Sequence, residues 1–263
     1  MEILVCVRRV PDTSENEIQL NSTGNDIERD DLVYSVNEPD NYAVEEALQI
    51  AAKNGGNVTV VTVGTDEDEE VLRREMAMGA NQGVLLSDDA FNGSDGKGIA
   101  TILKAFVQKG KYDLVLTGIQ AEDGGAQVGG MLAALLDYPF ASLVNSITVL
   151  DGSKLKVGRE IEGGNREMNE IDLPCVLSIQ TGINEPRYVG MRGIRQVASV
   201  EIPTYGASDL GIATTAVGEA GARVKRVDYF VSALGKGAEI LQGSREEIIN
   251  KLIELMKAKG GMN

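Results

Sequence analysis

The sequence predicts a doubly wound α/β protein: a mostly parallel sheet with helices on both faces, an added β-hairpin region and a C-terminal helical arm. Three observations predict it. Over the first two-thirds of the chain, short runs rich in β-branched residues alternate with segments of helical spacing, the pattern of a parallel sheet covered on both faces. The first run, Ile3 to Val7, is apolar at every position, as a strand buried on both faces requires. From Leu143 onward the texture changes to strand-like runs separated by turn residues, which reads as antiparallel pairing.

The elements follow in order. After the strand at Ile3–Val7, residues 40–53 carry Tyr42, Ala43, Leu48, Ile50 and Ala51 among acids, a helical spacing. Val58 to Val63 is a strand that stops at Gly64. Residues 66–79 form a helix with acids in its first turn, Arg73 and Arg74 later and Gly79 as its stop, matching the helix dipole and a glycine C-cap. Val84 to Leu86 is a short strand, and residues 95–109 are helical, with Ile99, Ile102, Leu103 and Phe106 on one face. Asp113 to Thr117 is the next strand, followed by a glycine-rich loop and a helix around Met131–Leu136. Asp151-Gly152-Ser153 joins two runs as a hairpin, Glu162 to Asn165 is a second turn, and Pro174 to Ile179 returns to the core. Residues 181–195, rich in Gly, Pro and Arg, form a surface excursion. Ser244 and Glu247 make a capping box for a final helix whose end gathers lysines. The expected division is a nucleotide-binding α/β domain over 1–205 and a C-terminal extension over 206–263.

Composition excludes several classes. With 40 acidic and 25 basic residues the net charge is −15, which repels nucleic acid and anionic lipid. There is no histidine, so the common general base and the Ser/His triad are missing. Cys6 and Cys175 lie far apart in apolar runs and read as reduced core residues, consistent with a cytoplasmic location. No apolar stretch reaches transmembrane length, and the first run is too short and too soon followed by Arg8, Arg9 and Pro11 for a signal peptide.

The candidate site is the loop Thr117 to Gly130, which follows a strand and opens a helix. Its glycines, with the helix N-terminus, suit a nucleotide phosphate; equally, they suit a tight turn with close helix packing at Gly129 and Gly130. It holds no lysine and matches neither the P-loop nor GxGxxG. Thr13 follows the first strand, where it serves a ligand or an ordinary turn set by Pro11. Asn37 either reads a purine or caps the helix after it. The acids Asp66 to Glu70 point in different directions and pair with the helix dipole rather than a metal.

Taken in order, Val5 to Thr13, Asn37 with Ala43-Val44-Glu45-Glu46-Ala47, Met78-Gly79-Ala80, Gly118 to Gly129, Arg159 to Gly164 and Gly182 to Tyr188 resemble the electron-transfer flavoprotein beta-subunit family along nearly the whole chain. The resemblance implies a small subunit that pairs with an alpha subunit, shields an FAD held mostly by that partner, and binds a second nucleotide. That nucleotide is AMP in ordinary members and a second FAD in electron-bifurcating ones. It implies a nucleotide site at Cys6, Asn37, Val63, Asp123, Gly124, Gly125, Ala126, Gln127 and Val128, with Thr13 near the shared flavin. It also implies a partner-docking loop with Tyr188, Met191, Arg192 and Ile194, Met191 being the apolar anchor for dehydrogenases of the acyl-CoA type. The segment Val10 to Thr13 resembles bifurcating members, and Gly182 to Gln196 resembles ordinary ones. Two other readings are an adenine-nucleotide-sensing α/β module, and an ATP-using ligase or hydrolase; the latter lacks its Ser/Gly-rich loop after the first strand.

Overall fold

The computed structural model describes residues 1–121, 125–225, 227–232, 235 and 237–261. β1 (Glu2–Cys6) leads into β2 (Arg9–Pro11) and β3 (Tyr34–Val36), which pair antiparallel as a small separate ribbon. Then come α1 (Glu38–Asn54), β4 (Asn57–Val63), a 3-10 turn at Asp66–Asp68, α2 (Glu69–Met78), β5 (Gln82–Leu86), α3 (Gly96–Val107), β6 (Leu114–Gly118) and α4 (Val128–Leu136). The antiparallel region is β7 (Phe140–Val149), β8 (Lys154–Ile161) and β9 (Asn165–Asp172), before β10 (Cys175–Ile179) returns to the sheet centre. The remaining elements are α5 (Met191–Val197), β11 (Thr204–Tyr205), α6 (Ala207–Leu210), α7 (Gly218–Gly221) and α8 (Arg245–Ala258).

Among the described residues the main sheet has the order β11-β5-β4-β1-β6-β10-β7-β8-β9. It is parallel from β11 through β7 and antiparallel in the β7–β8–β9 hairpins. Strand alternation divides the core in two. Ile3 and Val5 of β1 and Val58 and Val60 of β4 pack with Val44, Ala47 and Leu48 of α1 and Leu72 of α2. Leu4 and Val61 point the other way, to Ile102, Leu103 and Phe106 of α3 and Leu132 of α4. Both layers are dry: Ile3, Leu4, Leu72, Ile102 and Leu132 have no exposed surface. Side-chain oxygens hold two helix starts, Asp95 accepting from Gly98 N and Ser244 from Glu247 N.

The chain forms two compact units, one of Met1–Gln19 with Glu28–Val227 and one of Leu20–Ile27 with Asp228–Asn263. Residues 206–227, assigned above to the extension, belong to the larger unit, with β11 pairing on β5. In the smaller unit, α8 carries exposed Ile249, Leu252, Leu255 and Met256.

Three local expectations change. The excursion at 181–195 contains a helix, α5, because Arg73 of α2 donates to the carbonyls of Val197, Ala198 and Val200 at its end. Asn37 stands at the N-cap of α1 but makes no side-chain cap bond. The acids after Gly64, expected to pair with the helix dipole, also make specific bonds: Asp68 Oδ2 accepts from Thr65 N, Glu69 pairs with Arg73 at 2.8 Å and Glu67 with Arg9 at 3.0 Å.

A candidate nucleotide site at the strand-order reversal

β1 and β6 are neighbours, yet the chain leaves β1 for β4 on one side and returns from β5 to β6 on the other. The crevice at their carboxyl ends is therefore the switch point, where parallel α/β sheets bind ligands. One side chain joins the two strand ends. Asp40, in the first turn of α1, accepts a hydrogen bond from Arg8 N at 2.9 Å and from Gly118 N at 3.0 Å. Residue 118 must be glycine, since a Cβ there would lie 2.2 Å from Asp40 Oδ1. Asp40 is buried, and burial outweighs its hydrogen bonds and pushes its carboxyl up to about 7.

Asn37 is also buried and works on the loop that follows β6, its Nδ2 donating to Gln120 O at 3.0 Å. Cys6 ends β1 half-buried, and burial, followed by the Asp40 charge, raises its thiol far above the ordinary range. A thiol so raised stays protonated and is a poor nucleophile. Val63 ends β4, also half-buried.

The loop enters with Ile119 N on Ile179 O at 2.9 Å and leaves through Ala126, whose φ of +54° is left-handed, into Gln127 at the N-cap of α4. Such a turn aims successive N–H groups outward at the positive end of a helix. Gly125, Ala126 and Gln127 are exposed and Val128 is half-buried. Asp123 and Gly124 lie outside the described residues. Gly129 has a packing role: a Cβ would sit 2.3 Å from Ser178 Oγ and 2.9 Å from Thr117 Oγ1, two hydroxyls that bond each other beneath α4.

Thr13 is exposed and lies past β2, beyond the β2–β3 ribbon rather than directly at the end of β1. Tyr188, Met191, Arg192 and Ile194 are all exposed, Tyr188 at 92% and Met191 at 64%. Sequence reasoning missed two features. Asp40 reads as an ordinary first-turn acid, because its partners lie 32 and 78 residues away. Glu45 and Glu46 are buried on α1; two acids among Ala43, Val44, Ala47 and Leu48 were a legible sign of buried partners.

The matched family model is the electron transfer flavoprotein domain, over residues 25–210. The chain is 35% identical over 262 residues to the electron transfer flavoprotein subunit beta of Methylophilus methylotrophus, covering 97% of this chain and 98% of that one. It is 35% identical over 263 residues to the caffeyl-CoA reductase-Etf complex subunit CarD of Acetobacterium woodii, covering 98% of this chain and 99% of that one. Protein FixA of Azotobacter vinelandii is 35% identical over 221 residues, 81% of this chain and 78% of that one. With the family model matched over residues 25–210 and the first of these relatives 35% identical over 97% of this chain, the chain belongs to the electron-transfer flavoprotein beta-subunit family.

Proposed function

We propose that the chain is the electron-passing beta subunit of a heterodimeric electron-transfer flavoprotein. It holds AMP in the crevice between β1 and β6 and shares an FAD with an alpha subunit. It takes electrons from flavin dehydrogenases of the acyl-CoA dehydrogenase type and delivers them to a downstream acceptor. The observation that carries this reading is the crevice itself: two strand ends stapled by Asp40, beside a loop that turns through a left-handed residue into a helix N-terminus.

The residues suit an adenine nucleotide. The backbone N–H groups of Ala126 to Val128 are the phosphate donors. Half-buried Cys6 and Val63 are apolar walls for the base, and Asn37 orients the loop through Gln120 O. The family resemblance adds Asp123 and Gly124, which lie outside the described residues, to the nucleotide site. Bound flavin supplies the redox chemistry; the protein fixes its distance from donor and acceptor and excludes water. Thr13, exposed past the ribbon, hydrogen-bonds the shared flavin. The exposed apolar residues of α8 pack on the alpha subunit, and the family membership supports that pairing.

A second reading follows from the relative that is a subunit of a caffeyl-CoA reductase-Etf complex, and from Val10 to Thr13. In it, a second FAD replaces AMP and electrons are bifurcated. Purification with the alpha subunit decides between them. One flavin per heterodimer, reducible by an acyl-CoA dehydrogenase and its substrate, supports the first reading. Two flavins per heterodimer support the second, and a flavin-free homodimer defeats both.

A further inference from the structure

The exposed ridge formed by Tyr188, Met191 and Ile194 is tied down more firmly than an ordinary surface excursion. Arg187, one residue before Tyr188, makes a two-pronged ion pair with Glu45 of α1: Nε to Oε2 at 2.7 Å and Nη2 to Oε1 at 3.0 Å. Its backbone N–H also donates to Glu45 Oε2 at 3.2 Å. Burial works to raise the Glu45 carboxyl, but the bonds from Arg187 and Gln49 win and hold it below the usual range. Glu45 is therefore a charged latch throughout the neutral range. Asn184, three residues earlier, donates to Glu46 Oε2 at 3.0 Å and to Tyr42 O at 3.1 Å.

The second latch lies on α2. Arg73 is held by Glu69 at 2.8 Å and donates to three carbonyls at the end of α5, where a cation also complements the helix dipole. Between the two latches, α5 is seated directly on α2 at Gly193. A Cβ at that position would lie 2.7 Å from Ala77 O, a backbone atom that cannot yield as a side chain can.

These ties hold, from below, a segment whose outward side chains are apolar and rimmed by exposed Arg192 and Arg195. A flexible excursion would lose part of its binding energy to ordering on contact; a clamped one does not. We infer that Glu45, Arg187, Arg73 and Gly193 are positioning residues for partner docking: they preorganise the Tyr188–Met191–Ile194 ridge for a dehydrogenase surface with an acidic rim. This rests on the reading of that ridge as the docking surface. None of the four is a catalytic residue, and Glu45 is buried beneath the ridge.

The test uses the intact heterodimer and a purified acyl-CoA dehydrogenase with its acyl-CoA as electron source. Five proteins are compared: wild type, Glu45→Gln, Gly193→Ala, the pair Glu45→Gln with Arg187→Gln, and Met191→Ala. Steady-state kinetics and amide hydrogen exchange over residues 183–198 are read on each. Glu45→Gln and Gly193→Ala are expected to speed exchange in that segment and to raise the KM for the heterodimer about fivefold, as lost preorganisation does. The kcat and the flavin content stay unchanged. The double substitution is expected to be no worse than Glu45→Gln alone, because the two side chains act as one latch. The inference is overturned if exchange quickens while KM stays at the wild-type value in variants that retain Met191, with Met191→Ala raising KM. It is equally overturned if exchange does not change. If Met191→Ala also leaves KM unaltered, the docking reading itself fails and the positioning role falls with it.

Discussion

Asp40 accepts from two backbone N–H groups that are far apart in sequence, and no other residue type offers two carboxyl oxygens on so short a stem. Asp40→Asn keeps the shape but turns an amide N–H toward one of those donors. It is expected to cost about 1–3 kcal/mol in urea denaturation and to lower nucleotide content; unchanged stability and content would show that the staple is dispensable. Glu75 of α2 is fully buried, and neither of its carboxyl oxygens has a hydrogen-bond partner among the described residues. Burial pushes it up to about 8, against the pull of Arg74. For Asp40 and Glu75 the native pKa lies above the unfolded one. Between the ordinary carboxylate range and about 7 to 8, the native state therefore holds protons that the unfolded chain has released. Stability is complete below that window and is lost as pH rises through it. The urea midpoint is expected to fall from pH 5 to pH 8.5. Glu75→Gln, neutral at every pH, is expected to flatten that fall and to gain about 1–2 kcal/mol at pH 8.5. A slope equal to that of wild type would show that Glu75 is already ionised in the native state.

At the scale of elements, legibility followed length and period. The long helices α1, α3 and α8 and the continuous strands β1, β4 and β6 announce themselves, because burial of a stripe or of both faces leaves a repeat in the sequence. β2, β3 and β11 have three, three and two residues, too few for any repeat. α5 has seven residues with Gly193 inside it, so local propensity argued against it and tertiary ties made it. The site divides in the same way. Ala126, Gln127 and Asn37 stand where a strand meets a helix and were legible from position alone. The Asp40 staple and the Glu45–Arg187 pair depend on contacts across 32 to 142 residues, which periodicity does not encode. Met191, the first residue of α5, is 64% exposed. Met191→Ala is expected to slow electron exchange with the dehydrogenase by about tenfold, the loss of an apolar anchor worth 1–2 kcal/mol. Thermal stability should stay near that of wild type, since no core contact is removed. A large fall in melting temperature with an unchanged transfer rate would remove the loop from docking.

At the scale of the molecule, the parallel sheet reverses its strand order between β1 and β6, and α5 presents exposed Met191 and Ile194. The chain's acidity, −15 overall, leaves the arginines around α5 as a local exception that favours an acidic partner. The central claim is that the crevice between β1 and β6 holds an adenine nucleotide of this subunit, separate from the flavin shared with the partner. The direct measurement is the nucleotide extracted from the heterodimer in two forms: wild type, and a variant with Gly125→Val and Gln127→Ala. Both positions are exposed, so folding is spared. Wild type is expected to yield one adenine nucleotide per heterodimer beyond the FAD held with the alpha subunit, and the variant to lose most of it while keeping that FAD. Equal nucleotide in both, or no second nucleotide in wild type, would contradict the claim.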